Sequence, residues 1–212
     1  MVDISQIKRF NMVRDYLIYI SDERQAKINK FLQAEDKICA LFTELLMRYV
    51  ISDELKIKFD EIVFEKTKHG KLFLKGFPDY YFSVSHSGQK IVFVSDNTPI
   101  GIDIEQLKTT RDYENITSFF HPSEQSFVMH RLTDANFLKI WTSKEAYVKL
   151  IGTGITGDFS QFSVLSRKIG KLIVTINLNN YVLSVASNNV VQIPKNVTYI
   201  ESSCLLDFVK IL

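Results

Sequence analysis

The sequence has little net charge, few cysteines and no long apolar run. Its formal net charge of +2 is too small for the overall balance to indicate nucleic-acid binding, so any anion-binding site must be local. The two cysteines, Cys39 and Cys204, lie in apolar contexts, which predicts buried, reduced thiols. No stretch approaches the roughly 20 uncharged apolar residues that a membrane span needs. Because Met1–Asn11 is charged and lacks an apolar core, we expect no secretion signal, no membrane partner and a cytoplasmic location.

The composition is that of a folded globular chain. Hydrophobic residues make up 46% of the 212 residues and aromatic residues 12%, which excludes an intrinsically disordered protein. A chain of this length can bury the core of one large domain or of two small ones.

Helical and strand-like patterns follow each other in two successive blocks. Apolar residues at helical spacing predict helices over 24–32, 35–51, 111–118, 123–131 and 135–150. Short apolar runs between turn residues predict strands over 62–64, 72–74, 80–84, 91–94, 101–105, 162–165, 172–176, 181–186 and 198–204. This order predicts an α+β fold in two halves, 1–98 and 99–212. We expect the active site between the halves, because pockets commonly form between domains.

The first acidic segment is the strand GIDIE, which begins at Gly101. Side chains alternate along a strand, so Asp103 and Glu105 share one face while the isoleucines point into the core. Gly101 leaves room for a backbone or a ligand to approach closely. A solvated strand surface is the alternative interpretation of this acidic pair.

The second segment is the helical stretch WTSKEAYVK. Trp141, Glu145 and Lys149 are spaced four residues apart and share one helix face. An aromatic side chain beside a Glu–Lys pair favours the wall of a partly buried cleft over an ordinary exposed surface. The carboxylates of Asp103, Glu105 and Glu145, with lysines beside them, are suited to hold a hard divalent cation against a phosphate ester.

Three further segments could bind an anion. The Ser83–Gly88 turn carries hydroxyls, an imidazole and a glycine, which offer hydrogen-bond donors to a phosphate. The turn at Gly70 and Lys71 resembles any hairpin turn and is a weaker signal. Arg24 and Lys27 lie on one side of the first helix, where a solvated surface is the alternative.

Taken in order, these segments resemble those of the 4′-phosphopantetheinyl transferases, and in particular the long, pseudo-dimeric, surfactin-synthetase-activating type. W-x-x-K-E-A-x-x-K begins 36 residues after Glu105, with an SHSG turn upstream and Phe119-Phe120-x-x-x-Glu124 between the motifs. The resemblance covers nearly the whole chain. It implies two similar α/β halves related by pseudo-two-fold symmetry, and a monomer. It also implies an enzyme that transfers the 4′-phosphopantetheine arm of coenzyme A (CoA) to a carrier-protein serine.

The resemblance implies a metal and catalytic residues. Mg²⁺, or Mn²⁺ as an alternative ion, would bridge the pyrophosphate of CoA to Asp103, Glu105 and Glu145. Glu145 would deprotonate the serine of an apo peptidyl, polyketide or acyl carrier protein, directly or through water. Lys149 would stabilise charge on the phosphates, Lys144 would support the same region, and 3′,5′-ADP would leave.

The resemblance also implies contacts with CoA and with the carrier. The residues that would contact the 3′-phosphate of CoA are Arg24, Lys27, Ser85 and His86. The backbone of Gly70 and Lys71 would border the adenine. For carrier docking beside the metal site, we expect at least one of Phe120, Ile155 and Phe159 to be exposed, although these side chains could also belong to the core.

Two other functions use the same residues. A Mg²⁺-dependent hydrolase of a nucleotide or phosphodiester would also need three acids and lysines, and it would consume a phosphoester without a protein acceptor. A non-catalytic module that binds CoA or a carrier protein would keep the fold without the chemistry. A purely structural protein leaves the three acids without a purpose.

Overall fold

The computed structural model of the chain describes residues 1–107, 113–154, 158–189 and 197–210. The α-helices in these ranges are α1 (Asp22–Lys30), α2 (Ala34–Leu55), α3 (Tyr113–Thr117), α4 (Pro122–His130), α5 (Asp134–Ile151), α6 (Arg167–Gly170) and α7 (Ser202–Lys210). Short 3-10 helices cover Phe10–Met12, Arg14–Tyr19, Phe59–Glu61 and Phe159–Gln161.

The strands form three sheets. They are β1 (Val2–Asp3), β2 (Phe64–Lys66), β3 (Leu72–Leu74), β4 (Tyr81–Ser87), β5 (Lys90–Asp96), β6 (Ile100–Gln106), β7 (Ile173–Leu178), β8 (Tyr181–Ser187) and β9 (Ile200–Glu201). One sheet has the order β4-β5-β1-β9, β2 pairs with β3, and β8 lies between β6 and β7 in the third sheet. Helices and sheets together confirm the predicted mixed α+β fold.

The chain divides into two compact units. The first comprises Met1–Phe64, His86–Phe93 and Asn196–Leu212, and the second comprises Glu65–Ser85 and Val94–Lys195. The β4–β5 hairpin contributes residues to both units. The division into 1–98 and 99–212, the pseudo-two-fold symmetry and a site between two halves stay predictions.

The first unit is built around α2. This helix is buried without interruption from Ile38 to Arg48, and α1 and α7 pack against it. The rings of Tyr49 and Phe208 meet edge to face, with centroids 4.9 Å apart. Strand β1 pairs antiparallel with β5 and parallel with β9.

The second unit is built around α5, which packs on the β6-β8-β7 sheet. The helix begins where Thr133 Oγ1 accepts a hydrogen bond from Asn136 N at 3.2 Å. It ends at Gly152, whose φ of 72° is the left-handed conformation that glycine adopts without strain. This helix and β6 carry most of the predicted site.

Most predicted elements are confirmed, with ends shifted by a few residues. The predicted helices correspond to α1, α2, α3, α4 and α5, although residues 111 and 112 of the third lie outside the described residues. Seven predicted strands correspond to β2 through β8, with β2 beginning two residues later than predicted. No helix within the described ranges is long and apolar enough to cross a membrane.

The strand predicted over 162–165 is wrong, because side chains take the backbone hydrogen bonds of this segment. Lys144 Nζ donates to Phe162 O at 2.7 Å, and Glu124 Oε1 accepts from Val164 N at 2.7 Å. The segment forms turns between a 3-10 helix and α6.

The strand predicted over 198–204 is also mostly wrong. Only Ile200–Glu201 pairs in a sheet, and α7 begins at Ser202. Leu205 and Val209, four residues apart, are buried along this helix. Cys204 is consequently exposed, so the prediction of buried thiols is correct for Cys39 alone, whose burial raises its thiol pKa to about 11.

Candidate active site

A close contact between β6 and α5 positions the candidate site. A Cβ built on Gly101 would overlap Ala146 O and lie 2.5 Å from Leu150 N. Only glycine therefore allows the backbone of α5 to lie this near to β6. Because side chains alternate along a strand, Asp103 lies on the same face as Gly101 and points toward the helix.

Asp103 forms an ion pair with Lys149 of α5. Lys149 Nζ lies 2.8 Å from Asp103 Oδ1 and also donates to Ile102 O at 3.0 Å. Ser85 Oγ donates to the same carboxylate oxygen at 2.7 Å. Asp103 is only 5% exposed, so this pair lies at the edge of the interior.

The second carboxylate oxygen of Asp103 has no partner. Oδ2 is buried, and no described residue forms a hydrogen bond with it. Burial raises the pKa of Asp103 above its usual range; Lys149 and Ser85 lower it in part and Glu105 raises it further. A buried carboxylate oxygen without a donor is costly, which marks this atom as one that a ligand would satisfy.

Glu145 shares this electrostatic environment. It is 7% exposed, and burial raises the pKa of its carboxyl group. The charges of Asp103 and Glu105 raise this pKa further, while Lys149 lowers it. The carboxylates of Asp103, Glu105 and Glu145 therefore interact with one another and with the ammonium group of Lys149.

A pocket adjoins these residues within the second unit. Its volume is about 360 Å³, and it brings four predicted site residues together, namely Gly70, Lys71, Glu145 and Lys149. Ser83 also lines it, and Ser83 Oγ accepts a hydrogen bond from Ile102 N at 3.1 Å. The pocket therefore contains residues of α5 and, through Ser83, adjoins the backbone of β6.

Lys71 has a contact that the sequence did not predict. Its Nζ donates to Lys149 O at 2.6 Å, Ile100 O at 3.3 Å and Leu150 O at 3.4 Å. The ammonium group satisfies carbonyls at the end of α5, where the helix dipole favours a positive charge. Burial lowers the pKa of Lys71. Its side chain therefore supports the backbone of Lys149.

Lys144 lies elsewhere, in the core of the second unit. Its Nζ forms an ion pair with Glu124 Oε2 at 2.6 Å, and both side chains are fully buried. The ammonium also lies 4.0 Å from the ring centroid of Phe162. Burial lowers the pKa of Lys144, and Glu124 opposes that shift. Lys144 does not line the pocket that contains Glu145 and Lys149.

The structure assigns Glu124 a role that sequence reasoning missed. This residue closes a capping box, in which Glu124 Oε2 accepts from His121 N at 3.2 Å. The signal was present in the sequence as His121-Pro122-Ser123-Glu124, since proline at the first helical position and glutamate at the third are typical of a helix start. Its pairing with Lys144 depends on tertiary contacts.

The remaining residues predicted to contact the nucleotide lie on α1 and β4. Arg24 and Lys27 are on α1 in the first unit, and Arg24 Nε pairs with Glu44 at 3.2 Å. His86 is exposed on β4 and belongs to the first unit, whereas Ser85 belongs to the second. Glu44 was also missed by sequence reasoning, although an acid four residues before Arg48 in an apolar helix is a recognisable signal.

Trp141 is partly buried in an aromatic cluster, and its predicted place in the wall of a cleft stays a prediction. It packs with the rings of Phe120, Phe137 and Phe159, the last at 5.7 Å between centroids. Of the residues predicted for carrier docking, Phe120 is fully buried, Phe159 is half-buried and Ile155 lies outside the described residues. Phe119 is 69% exposed beside them.

The chemistry of the three acids fits a hard cation. Carboxylate oxygens are the donors that Mg²⁺ prefers, and the unpartnered Asp103 Oδ2 and the mutual repulsion of the acids are both relieved by a positive ion. In the part of the chain that is described, no group of three or more His, Cys, Asp or Glu side chains is arranged to hold a metal ion by itself. A cation would therefore need further oxygen ligands.

Two family models match the chain. Residues 6–98 match the model for 4′-phosphopantetheinyl transferase, N-terminal, and residues 99–194 match the model for the 4′-phosphopantetheinyl transferase superfamily. The two matches meet between residues 98 and 99.

Relatives with established names are similar over most of the chain. 4′-phosphopantetheinyl transferase Sfp of Bacillus subtilis (strain 168) is 30% identical over 164 residues, which are 76% of this chain and 73% of the relative. 4′-phosphopantetheinyl transferase gsp of Aneurinibacillus migulanus is 32% identical over 146 residues, 68% and 60% of the two chains. L-aminoadipate-semialdehyde dehydrogenase-phosphopantetheinyl transferase of Xenopus laevis is 29% identical over 174 residues, which are 72% of this chain and 57% of the relative.

These matches make the protein an enzyme of the transferase class. It belongs to the 4′-phosphopantetheinyl transferase superfamily, and the family predicted from the motifs is confirmed.

Proposed function

We propose that the protein transfers the 4′-phosphopantetheine arm of CoA to a serine hydroxyl of an apo carrier protein. The products are the holo carrier and 3′,5′-ADP. The observation that carries the proposal is a pocket lined by Glu145 and Lys149, with Asp103 paired to Lys149 at 2.8 Å, in a chain of this family. The acceptor is a peptidyl, polyketide or acyl carrier domain.

A divalent cation is part of the proposal. Asp103, Glu105 and Glu145 are the residues that would hold Mg²⁺, and the pyrophosphate oxygens of CoA would complete its ligands. When bound, the ion supplies positive charge that neutralises the phosphates. Because no group of three acids among the described residues holds a metal ion by itself, we expect weak stabilisation of the protein by Mg²⁺ alone and stronger stabilisation by Mg²⁺ with CoA.

Glu145 is the proposed general base. Burial and the neighbouring carboxylates raise its pKa, which makes its carboxylate a better proton acceptor than an exposed one. It takes the proton of the carrier serine, directly or through a water molecule. The serine oxygen then forms a bond to the β-phosphorus of CoA, and the bond from that phosphorus to the leaving 3′,5′-ADP breaks.

Lysines position and neutralise the reacting phosphates. Lys149 offers its ammonium to the phosphate oxygens, where charge develops as the phosphorus–oxygen bond breaks. Lys71 holds the carbonyl of Lys149 and so fixes the end of α5 beside the pocket. Lys144 contributes through its buried pair with Glu124 and not through a contact with CoA.

The nucleotide end of CoA is proposed to contact three segments of the chain. The residues are Arg24, Lys27, Gly70, Lys71, Ser85 and His86. Gly70 and Lys71 line the pocket that contains Glu145, which supports the adenine contact of their backbone. Ser85 donates to Asp103, so its hydroxyl links this group to the acids.

The direct test is intact-protein mass spectrometry of apo carrier domains incubated with the protein, CoA and Mg²⁺. We expect a mass gain of one phosphopantetheine arm, which is lost on omission of Mg²⁺ and in Glu145→Gln. Glu35→Gln, which removes the charge of an exposed glutamate, is the matched control and should retain activity.

Other outcomes separate the alternative functions. CoA cleavage without modification of any carrier would favour a phosphoester hydrolase. CoA binding without transfer to peptidyl, polyketide and acyl carriers would favour a binding module. A thermal-shift titration that shows no CoA-dependent stabilisation would count against both CoA-based proposals.

A further inference from the structure

A buried carboxylate in the first unit holds two arginines. Glu44 is 2% exposed and accepts five hydrogen bonds. The donors are Ser21 N at 2.7 Å, Ser21 Oγ at 3.1 Å, Arg24 Nε at 3.2 Å, Arg48 Nε at 3.0 Å and Arg48 Nη2 at 2.9 Å. Both carboxylate oxygens are therefore fully engaged, and the group is a fixed point between α1 and α2.

Arg48 is fixed on every side. Its Nη1 donates to Phe59 O at 2.8 Å and to Ile62 O at 3.0 Å, while its other nitrogens bind Glu44. The guanidinium also lies within 5.7 Å of the ring centroids of Phe59 and Phe64. The charge of Arg48 therefore compensates that of Glu44, and the two form a closed neutral pair.

Arg24 is held differently. Within the described residues it donates from its side chain only through Nε, and its side chain is 18% exposed. A hydrogen bond from Nε leaves the two terminal nitrogens free, and these can donate to an oxyanion in a bidentate manner. Since Arg48 already compensates Glu44, the positive charge of Arg24 is in excess.

A second cation lies one turn along α1. Lys27 is exposed three residues after Arg24, and its Nζ lies 5.9 Å from the ring centroid of Phe31. Two cations on neighbouring turns favour a dianionic group, such as a phosphate monoester, over a singly charged diester.

We propose that Glu44 is a positioning residue that orients the terminal guanidinium nitrogens of Arg24 toward a phosphate monoester. The inference rests on the proposed function, in which that group is the 3′-phosphate of CoA. Glu44 carries a negative charge and cannot attract the phosphate itself. It acts by fixing the orientation of the arginine before the ligand arrives, which lowers the entropic cost of binding.

The direction in which Glu44→Gln changes phosphate affinity distinguishes a positioning role from an electrostatic role. Glu44→Gln removes a negative charge near the proposed phosphate site, so a purely electrostatic role predicts tighter phosphate binding. A positioning role predicts weaker binding, because a neutral amide holds Arg24 less firmly than a carboxylate. Both effects are measured with adenosine 3′,5′-bisphosphate and adenosine 5′-monophosphate as probes, since only the first carries the 3′-phosphate.

The experiment is equilibrium binding of both nucleotides to the full chain by titration calorimetry. We expect the wild-type protein to bind the bisphosphate about tenfold more tightly than the monophosphate. Arg24→Gln should bring this ratio near one. Glu44→Gln should lower it at least about threefold with little change in monophosphate affinity. Lys8→Gln, which removes an exposed charge from the same unit, is the control and should keep the wild-type ratio.

Glu44→Gln leaves Arg48 without its counter-ion, so Arg24→Lys, which keeps the Glu44–Arg48 pair, provides a second test. Arg24→Lys keeps the positive charge but cannot donate in a bidentate manner. We expect its ratio of bisphosphate to monophosphate affinity to approach that of Arg24→Gln. A wild-type ratio in Arg24→Lys, or an unchanged or larger ratio in folded Glu44→Gln, would overturn the proposal, as would equal wild-type affinities. Failure of carrier modification with the expected binding ratios would count against the proposed transfer alone.

Discussion

Two lysines of α5 each contact a buried carboxylate, and the two pairs differ in how completely their polar atoms are satisfied. Lys144 and Glu124 are both fully buried, and each makes further hydrogen bonds to the backbone. Lys149 and Asp103 are equally close, yet Asp103 Oδ2 has no partner among the described residues. The pairs lie five positions apart on one helix.

The difference lies in what surrounds each pair. Aromatic rings and backbone groups enclose Lys144 and Glu124, so neither has capacity left for a ligand. Burial raises the pKa of Asp103 and of Glu145, and the charge of Glu105 raises the pKa of both further. An ion pair whose polar atoms are all hydrogen-bonded stabilises the fold. An ion pair with an unpartnered oxygen beside like charges is suited to bind a cation and a phosphate.

The largest expected effect is on stability, from Lys144→Met. This change leaves Glu124 charged and buried without its counter-ion, and we expect the free energy of unfolding to fall by about 3 to 5 kcal/mol. Denaturant unfolding measures the loss. Transfer per folded molecule should stay near the wild-type rate, because Lys144 does not line the pocket.

Two controls sharpen that expectation. Glu124→Gln combined with Lys144→Met should recover part of the lost stability, because no buried charge remains unpaired. A folded Lys144→Met protein that transfers as slowly as a Lys149 variant would show that the two pairs do not differ in function.

A smaller energetic effect, now on catalysis, is expected from Lys149→Met. Without its ammonium the phosphates lose a compensating charge, and we expect the transfer rate to fall about 100-fold, or about 3 kcal/mol in activation free energy. Carrier modification followed by mass spectrometry gives the rate. Lys149→Arg should lose less, since the charge remains; a Lys149→Met rate within threefold of wild type would contradict the proposed role.

The smallest effect is a pH-dependent stability difference between the wild-type protein and Glu145→Gln, measured without Mg²⁺. The pKa of Glu145 is raised in the folded state, so the folded protein holds this proton more tightly than the unfolded chain. Ionisation therefore destabilises the fold as the pH rises from the usual carboxyl pKa through the raised value. Glu145→Gln should be the more stable protein at neutral pH, and the difference should vanish below the usual carboxyl pKa.

Denaturant unfolding of both proteins across the acidic range tests this sign. A difference that stays constant with pH would mean that Glu145 does not titrate differently in the folded protein. Addition of Mg²⁺ with CoA should reverse the order at neutral pH, because the wild-type carboxylate then has a ligand.

The spacing of apolar residues was sufficient to predict the helices and strands in which one spacing recurs throughout. The helices α2 and α5 and the acidic strand β6 were predicted because apolar residues recur at 3.6 or at 2 positions over a long stretch. The close contact at Gly101 was also anticipated, since a glycine within a strand indicates that a backbone approaches.

Tertiary contacts overrode local pattern in two short segments. Residues 162–165 read as a strand, but their backbone is bound by Lys144 and Glu124. The stretch after Glu201 has the apolar content of a strand, yet burial of Leu205 and Val209 selects a helix. Short apolar runs are compatible with either structure, so long-range partners decide.

The amino-acid sequence alone determined the family, the α+β fold class and the set of acids and lysines, because these depend on residue type and spacing. It could not determine the environment of each charge. Lys144 and Lys149 occupy the same motif, and only the packing of α5 sends one into an aromatic core and the other to a pocket. The physical reason is that burial and hydrogen-bond partners, which set the energy of a charge, come from residues distant in the chain.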